Sequence, residues 1–228
     1  MSAHYESVQS AVLYPDVFRV AAPAAPLERQ VWPRKPGVFI RRAEPPPEAA
    51  EAGAGAAPPL HELVAGQLGL VPRWVKSASD AKLRSTKLDV ARSEIVTTSN
   101  NFREAWLGGQ FCIVPMMAFF EDDWRSGKAL PTRIARVDGQ PMGVAGLWER
   151  WVGAEGDVIV SYALLTVNAN SHALMHRYQQ PGSEKRMPVI LNEGAFDAWL
   201  GVRPEKAREF MRAYPANALT ANPVEKLR

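Results

Sequence analysis

Short apolar runs separated by turn residues are the feature that most restricts what this chain can fold into. Six runs are rich in Val, Ile, Leu and aromatic residues, which favour β-strands. They cover residues 37–42, 63–71, 111–117, 143–148, 158–167 and 187–191. The first two are separated by a segment that is short for a domain linker, so we expect them to pair with each other or with neighbours in one sheet. These patterns predict a strand-dominated core.

Helix signals occupy three shorter segments. Residues 100–107 begin at Asn100 as an N-cap and stop at Gly108 and Gly109. Residues 193–200 and 204–214 are the other two, and Pro204 starts the last one. A turn is indicated at residues 137–140, which read Val-Asp-Gly-Gln. Strands interspersed with short helices predict an α+β fold class with a mixed, largely antiparallel sheet.

Length and composition fit one domain. The chain has 228 residues with 46% hydrophobic composition, enough to bury one sizeable core. Residues 45–59 read PPPEAAEAGAGAAPP and lack large side chains that could offset the entropy of ordering. We therefore expect a single domain over residues 1–228 that carries a Pro/Ala/Gly-rich surface loop at 45–59.

The net charge and the single cysteine limit which binding partners and bound metals this chain can have. The net charge of +3 is modest, so a DNA-binding surface must come from local clusters of Arg and Lys. Cys112 is the only cysteine, which excludes an intramolecular disulfide and a thiolate metal site, and its apolar surroundings predict a core position. The sequence shows neither an apolar stretch near 18 residues nor a signal-peptide pattern, so we expect a cytoplasmic protein without a membrane span.

Several common sites have no signature in this sequence. It lacks a Gly-rich phosphate loop and a serine-hydrolase elbow. The four histidines, His4, His61, His172 and His176, do not have metal-ligand spacing. We therefore expect no cofactor and no bound metal.

An ordered set of sequence blocks carries a family resemblance. The blocks are Val90-Ala-Arg-Ser-Glu94, Phe102-Arg103, Cys112-Ile-Val-Pro115, Phe119-Phe-Glu121, Gly146-Leu-Trp148 and Arg186-Met-Pro-Val-Ile-Leu191. In this order, over roughly residues 2–200, they resemble the SRAP family (SOS response-associated peptidase-like), the abasic-site processing proteins. The resemblance implies a curled, barrel-like sheet, a grip on single-stranded DNA, and an N-terminal cysteine that bonds covalently to the aldehyde of an abasic site.

Ser2 stands where the resemblance implies that cysteine. In the family, the amine and the thiol of the cysteine close a ring on the aldehyde after Met1 is removed. A small second residue permits this removal, and an α-amine with a pKa of about 8 is partly unprotonated at neutral pH, so a Schiff base remains accessible. A hydroxyl is a far poorer nucleophile than a thiolate, and we expect transient attachment. Alternatively, Ser2 is an ordinary processed N-terminus.

Two further positions depart from the family pattern. Val90 replaces an Asn that hydrogen-bonds the sugar-derived group, and Val can neither donate nor accept. Nothing adjacent restores that contact unless Asp89 turns inward. Gln179 falls at the family histidine that acts as acid or base, and it cannot exchange protons near neutral pH. With a different gap placement, His176 fills that position.

Glu121 matches the active-site acid of the family, which moves protons near the N-terminal amine. At the end of an apolar strand, its carboxyl is expected to have a pKa raised by desolvation. Because Asp122 and Asp123 follow, a solvated acidic turn is the alternative. Of the four positions that the family uses for its reaction, Glu121 matches the pattern, whereas Ser2, Val90 and Gln179 depart from it. Three departures in one site indicate relaxed selection for covalent chemistry.

Two residues are candidates for contact with the DNA backbone. Arg92 matches a family Arg with this role, and its planar fork of donors suits phosphate. A structural ion pair with Glu94 or another acid is the alternative. His4 could contact a phosphate, orient the N-terminal amine, or be an ordinary surface histidine.

A second group of candidates resembles the family's wedge and groove. Trp74 offers an aromatic face to unpaired bases, and Arg73 beside it can meet phosphate. Arg103 extends the positive groove or is only a solvated charge. The sequence therefore predicts a protein that binds single-stranded or abasic-site DNA in a DNA-damage response, with crosslinking chemistry reduced or lost. Two other classes stay open: an active crosslinking enzyme or lyase that uses the Ser2 amine with Glu121, and a protein-interaction scaffold.

Overall fold

A computed structural model describes residue 1, residues 3–44 and residues 60–224, so that Ser2 and the loop expected at 45–59 lie outside the described residues. Strands account for most of the regular structure in these ranges. They are β1 Tyr5–Ser7, β2 Gln30–Val31, β3 Pro36–Arg42, β4 His61–Leu68, β5 Val90–Arg92, β6 Phe111–Asp123, β7 Leu130–Arg136, β8 Met142–Val152, β9 Val158–Asn168, β10 Arg186–Pro188, β11 Ile190–Leu191 and β12 Leu219–Pro223. Three short α-helices accompany them: α1 Ala78–Ser85, α2 Arg103–Leu107 and α3 Phe196–Gly201.

Five strands close the sheet on itself. β3 pairs with β4 and β6, β6 pairs with β8, β8 pairs with β9, and β9 returns to β4. The last contact is parallel, and the other four are antiparallel. The result is a five-stranded barrel in an α+β fold, which confirms the predicted fold class and its largely antiparallel, curled sheet.

Strand β6 links the barrel to the remaining sheet. Its residues Phe111 to Met116 pair with β8, whereas Ala118 to Asp123 pair with β7. On its other edge the same strand pairs with β1, where Tyr5 lies opposite Phe119. The C-terminal end of β6 therefore lies beside the beginning of the chain.

The core contains large aromatic side chains from α2, α3 and β6. The Phe111 ring lies 5.3 Å from that of Trp106 and 4.6 Å from that of Trp199, as centroid distances. The indole Nε1 of Trp199 donates to the carbonyl oxygen of Cys112 at 2.8 Å, which satisfies a buried polar group. Cys112 is fully buried, as the sequence predicted.

All six predicted strand runs contain strands, and the first two pair with each other. The predicted Asn100 cap is wrong, because α2 begins after Phe102, which makes no side-chain cap. Its end at Gly108 is confirmed. The predicted helix at 204–214 is wrong in type and length, since Pro204–Phe210 forms a 3-10 helix. The turn expected at 137–140 separates β7 from β8 and places Gly139 at φ 72°, a conformation that favours glycine.

No α-helix in the described ranges is long and apolar enough to cross a membrane. In the same ranges, no cluster of three or more His, Cys, Asp or Glu side chains is arranged to hold a metal ion.

Candidate active site and DNA interface

The first residues of the chain are fixed against the end of β6. Tyr5 pairs with Phe119, and the Phe120 amide donates to the His4 carbonyl oxygen at 2.9 Å. Continuing this antiparallel register brings Ala3 beside Glu121. Ala3 is fully buried, although its neighbour at position 2 lies outside the described residues. The segment from Ala3 onward is therefore an ordered part of the site.

Asp89 holds this N-terminal segment in place. Its side chain is buried, and Oδ2 accepts a hydrogen bond from the Ala3 backbone N–H at 2.5 Å. This amide belongs to the peptide bond that joins Ala3 to residue 2. Val90, the next residue, begins β5 opposite Leu164 and packs its half-buried side chain against the core. The inward turn of Asp89 considered from the sequence is thus observed, and it serves the backbone of Ala3.

Glu121 is a buried acid with an unsatisfied oxygen. Only 9% of the residue is exposed, and Oε1 has no hydrogen-bond partner among the described residues. Burial raises the pKa of Glu121 to about 8, although the positive charge of the chain N-terminus and the nearby Gln179 favour the charged form. The carboxyl therefore keeps its proton at neutral pH. Its burial excludes the solvated acidic turn that the sequence left open.

Gln179 lies beside this acid, and its side chain also bonds the backbone of β10. Its backbone N–H donates to the Asp122 carbonyl oxygen at 2.8 Å, and its φ is 69°. The side-chain Nε2 donates to the Arg186 carbonyl oxygen at 2.6 Å, while Oε1 accepts from the Arg186 N–H at 3.0 Å. The side-chain amide of Gln179 thus forms the two hydrogen bonds with the backbone of β10 that a neighbouring strand would form. This contact fixes the loop next to Glu121.

His176 lies elsewhere and is exposed, on a short 3-10 helix at Met175–Arg177. Its Nδ1 is 2.7 Å from the carbonyl oxygen of His172. It is not among the groups that perturb the pKa of Glu121. The structure therefore brings Gln179, rather than His176, to the acid.

Arg92 is paired with an acid, although a different one from the neighbour named in the sequence analysis. Its guanidinium contacts the Glu184 carboxylate, whereas Glu94 pairs with the buried guanidinium of Arg186 at 2.7 Å. The Arg92 side chain remains 52% exposed. Exposed ion pairs contribute only about 0–1 kcal/mol, so this contact adds little to the stability of the fold.

The predicted wedge residues are also partly engaged. Arg73 donates through Nε to the buried Glu149 at 2.7 Å and through an Nη to Gln110 at 2.6 Å. The indole Nε1 of Trp74 donates to the Asn100 carbonyl oxygen, and the Arg84 guanidinium lies 4.6 Å from the Trp74 ring centroid. One face of this half-exposed indole is thus covered by a cation.

Arg103, the last of the predicted contacts, is exposed in the first turn of α2. That placement leaves its guanidinium accessible to an anion from solvent.

A cleft of about 420 Å³ opens beside the acid, lined by His4, Trp32, Phe120 and Glu121 among others. The His4 ring stacks on Trp32 at 3.4 Å and on Phe120 at 4.3 Å, as centroid distances. Burial lowers the pKa of His4, so its imidazole is neutral at neutral pH. This placement supports a role in stacking or in ordering the N-terminal segment rather than an ion pair with phosphate.

Two residues of this site, Trp32 and Asp89, are difficult to identify as site residues from the sequence. Trp32 follows a strand of only two residues, and no periodicity marks it as a site residue. Asp89 precedes a strand of three residues, so that its inward direction depends on how β5 pairs with β9. A polar residue directly before a substituted family position was the only available signal for Asp89.

The chain belongs to the SRAP family. The family's sequence model, described as SOS response associated peptidase (SRAP), matches residues 6–227. Abasic site processing protein YoqW of Bacillus subtilis (strain 168) is 29% identical over 163 residues, which cover 70% of this chain and 67% of that protein. Abasic site processing protein HMCES of Gallus gallus is 24% identical over 177 residues, covering 68% and 50% respectively. The family recognised from the sequence blocks is thereby confirmed.

Solved structures share the fold. A crystal structure of a protein from Bordetella bronchiseptica matches with a TM-score of 0.87 and 38% identity, covering 98% of this chain and 100% of that one. A crystal structure from Bacteroides thetaiotaomicron matches with a TM-score of 0.77 and 19% identity, covering 97% and 91%. The second likeness concerns the fold alone.

Proposed function

We propose that this chain binds single-stranded DNA at abasic sites in a DNA-damage response and attaches to them reversibly. Relatives named as abasic site processing proteins support the substrate class. The observation that carries the proposal is the buried Glu121, whose Oε1 has no hydrogen-bond partner among the described residues and which lies near the anchored Ala3. A buried carboxyl oxygen without a hydrogen-bond partner is costly to maintain, which favours a role in binding or chemistry.

The proposed reaction is formation of an imine. Once Met1 is removed, the unprotonated amine of Ser2 adds to the aldehyde carbon of the abasic sugar and gives a carbinolamine. Glu121 transfers its proton to the hydroxyl group, which leaves as water while the C=N bond forms, and the carboxylate can recover the proton released from nitrogen. Water reverses the reaction, because the serine hydroxyl does not close a durable ring as a thiol would.

Asp89 acts in this proposal as a positioning residue. It holds the amide that follows residue 2, and so limits where the reactive amine can lie. Fixing a nucleophile close to its target is a large contribution to rate in general. Val90 contributes only an apolar side chain, so the contact to the sugar that the family amide makes is not restored by this hydrogen bond.

Trapping by reductant is the direct test. Wild-type protein incubated with abasic single-stranded DNA and borohydride should give a covalent adduct on a denaturing gel, because borohydride reduces an imine to a stable amine. Without borohydride no adduct should survive heating. A heat-stable adduct without reductant would instead establish an active crosslinking enzyme. Binding without any trapped product would show that the chemistry is lost.

Binding should depend on Arg92 and on salt. Arg92→Ala is expected to lower the affinity for single-stranded DNA several-fold and to reduce the salt slope of log K by about 0.7, the value of one phosphate contact on a single strand. Fluorescence anisotropy titrations at several salt concentrations measure both quantities. Arg19→Ala is a matched control, since Arg19 is an exposed arginine that pairs with Asp197 on α3. Absence of binding by the wild type at low salt would favour the protein-interaction scaffold.

A further inference from the structure

Trp32 is a partly exposed aromatic residue to which neither the sequence blocks nor the imine chemistry gives a role. It directly follows β2 and is 49% exposed at the wall of the cleft. Its ring lies nearly parallel to that of His4, with an angle of 16° between the planes. A large apolar side chain at the surface usually has a packing or binding reason, particularly when its orientation is fixed.

The orientation of Trp32 is fixed by a stack of three rings. Two rings at 3.4 and 4.3 Å cannot share one face of an imidazole, so His4 lies between Trp32 and Phe120. The His4 ring is also held by Gln30, whose Oε1 is 2.9 Å from Nε2. The outer indole is thus held in place before any ligand arrives, which reduces the entropy lost on binding.

The three-ring stack lines the same cleft as Glu121. Phe120 precedes Glu121 in β6, and both line the cleft together with Trp32. The cleft volume of about 420 Å³ lies in the range of sites for small ligands or single groups of a polymer. A planar group on Trp32 and a sugar held at Glu121 would therefore occupy the same cleft.

The charge in the cleft favours a neutral planar group over a phosphate. Asp122 lines the same cleft, and its carboxylate would repel a phosphate placed there. Nucleobases are neutral, have a π-face, and stack on aromatic side chains without regard to sequence. The nucleotide that neighbours an abasic sugar in a single strand supplies such a base.

We propose that Trp32 is a stacking platform for the unpaired base next to the abasic nucleotide, with the Trp32–His4–Phe120 stack aligning that nucleotide so that the abasic sugar lies at Glu121. The inference rests on the proposed binding of abasic single-stranded DNA. It adds a subsite for a base to a site otherwise defined by a sugar.

The test compares two DNA probes that contain a stable abasic analogue. In one, the analogue has adenines on both sides; in the other, the flanking nucleotides are abasic analogues as well. Trp32→Ala should weaken binding of the first probe by about tenfold, since stacking on an aromatic residue contributes about 1–3 kcal/mol per base. It should leave binding of the second probe unchanged. Trp32→Phe, which keeps a ring, should restore most of the affinity.

The two probes separate failure of this inference from failure of the proposed function. If the wild type binds neither probe, both are overturned. If the wild type binds both probes equally, or Trp32→Ala binds the first probe as tightly as the wild type does, the platform alone is overturned. An equal loss on both probes would also overturn it, because it would indicate damage to the fold rather than loss of a base contact.

Discussion

Ser2→Cys is expected to turn transient attachment into a durable adduct with abasic single-stranded DNA, visible on a denaturing gel without borohydride. The thiolate can attack the imine carbon and close a ring that water does not readily open. The elements that hold the N-terminal segment and the acid are already present, because Asp89 bonds the amide of Ala3 and Glu121 lies beside it.

Glu121→Gln in the Ser2→Cys background should slow adduct formation by about 10²- to 10⁴-fold, the usual contribution of general acid–base catalysis. Gln cannot donate the proton that the departing hydroxyl requires. Time courses under single-turnover conditions measure the rate. Ser2→Ala is the matched control, since it keeps the α-amine and should give only the reductant-dependent adduct. An unchanged rate in the Glu121→Gln variant would remove this acid from the mechanism.

The same substitution should stabilise the protein at alkaline pH. Burial raises the pKa of Glu121 from 4.5 to about 8, so the folded state binds this proton more tightly than the unfolded chain does. The associated stability is complete below pH 4.5 and decreases as the pH rises to about 8, by about 1.4 kcal/mol for each pH unit. Glu121→Gln removes this loss because an amide does not ionise.

Urea denaturation of wild type and variant at pH 4.5 and pH 9 checks the sign. The free energy of unfolding should be similar at pH 4.5, where both side chains are neutral, and higher by a few kcal/mol in the variant at pH 9. Glu104→Gln, at an exposed acid on α2, should show no such difference. Equal stability of Glu121→Gln and wild type at pH 9 would mean that Glu121 is hydrated in the folded protein.

The sequence predicts the barrel strands because they are buried and strongly β-forming. β6 and β9 each hold long runs of Val, Ile, Leu and aromatic residues that have few alternatives to a central strand. The strands β1, β2 and β5 have only two or three residues, too few for any periodicity to be detected. Their positions depend on pairing with strands distant in the chain, which local propensity does not encode.

The same difference between long and short strands decides which residues of the candidate site could be predicted from the sequence. Glu121 could be identified because it ends an apolar strand within a family block, and its raised pKa follows from that position. Trp32 and Asp89 lie next to the short strands, so their contribution depends on tertiary pairing. Gln179 shows a further limit: a sequence comparison detects the missing histidine, but only the structure shows that the amide bonds the backbone of Arg186.

The anchoring of Ala3 by Asp89 also determines how such a protein can be prepared and controlled. From Tyr5 onward the chain is held in the sheet, so extra residues before Ser2 need not disturb the barrel. They would nevertheless convert the reactive amine into an amide, which is not nucleophilic. If the proposed imine chemistry holds, an amino-terminal affinity tag should leave the barrel folded and should abolish trapping by borohydride.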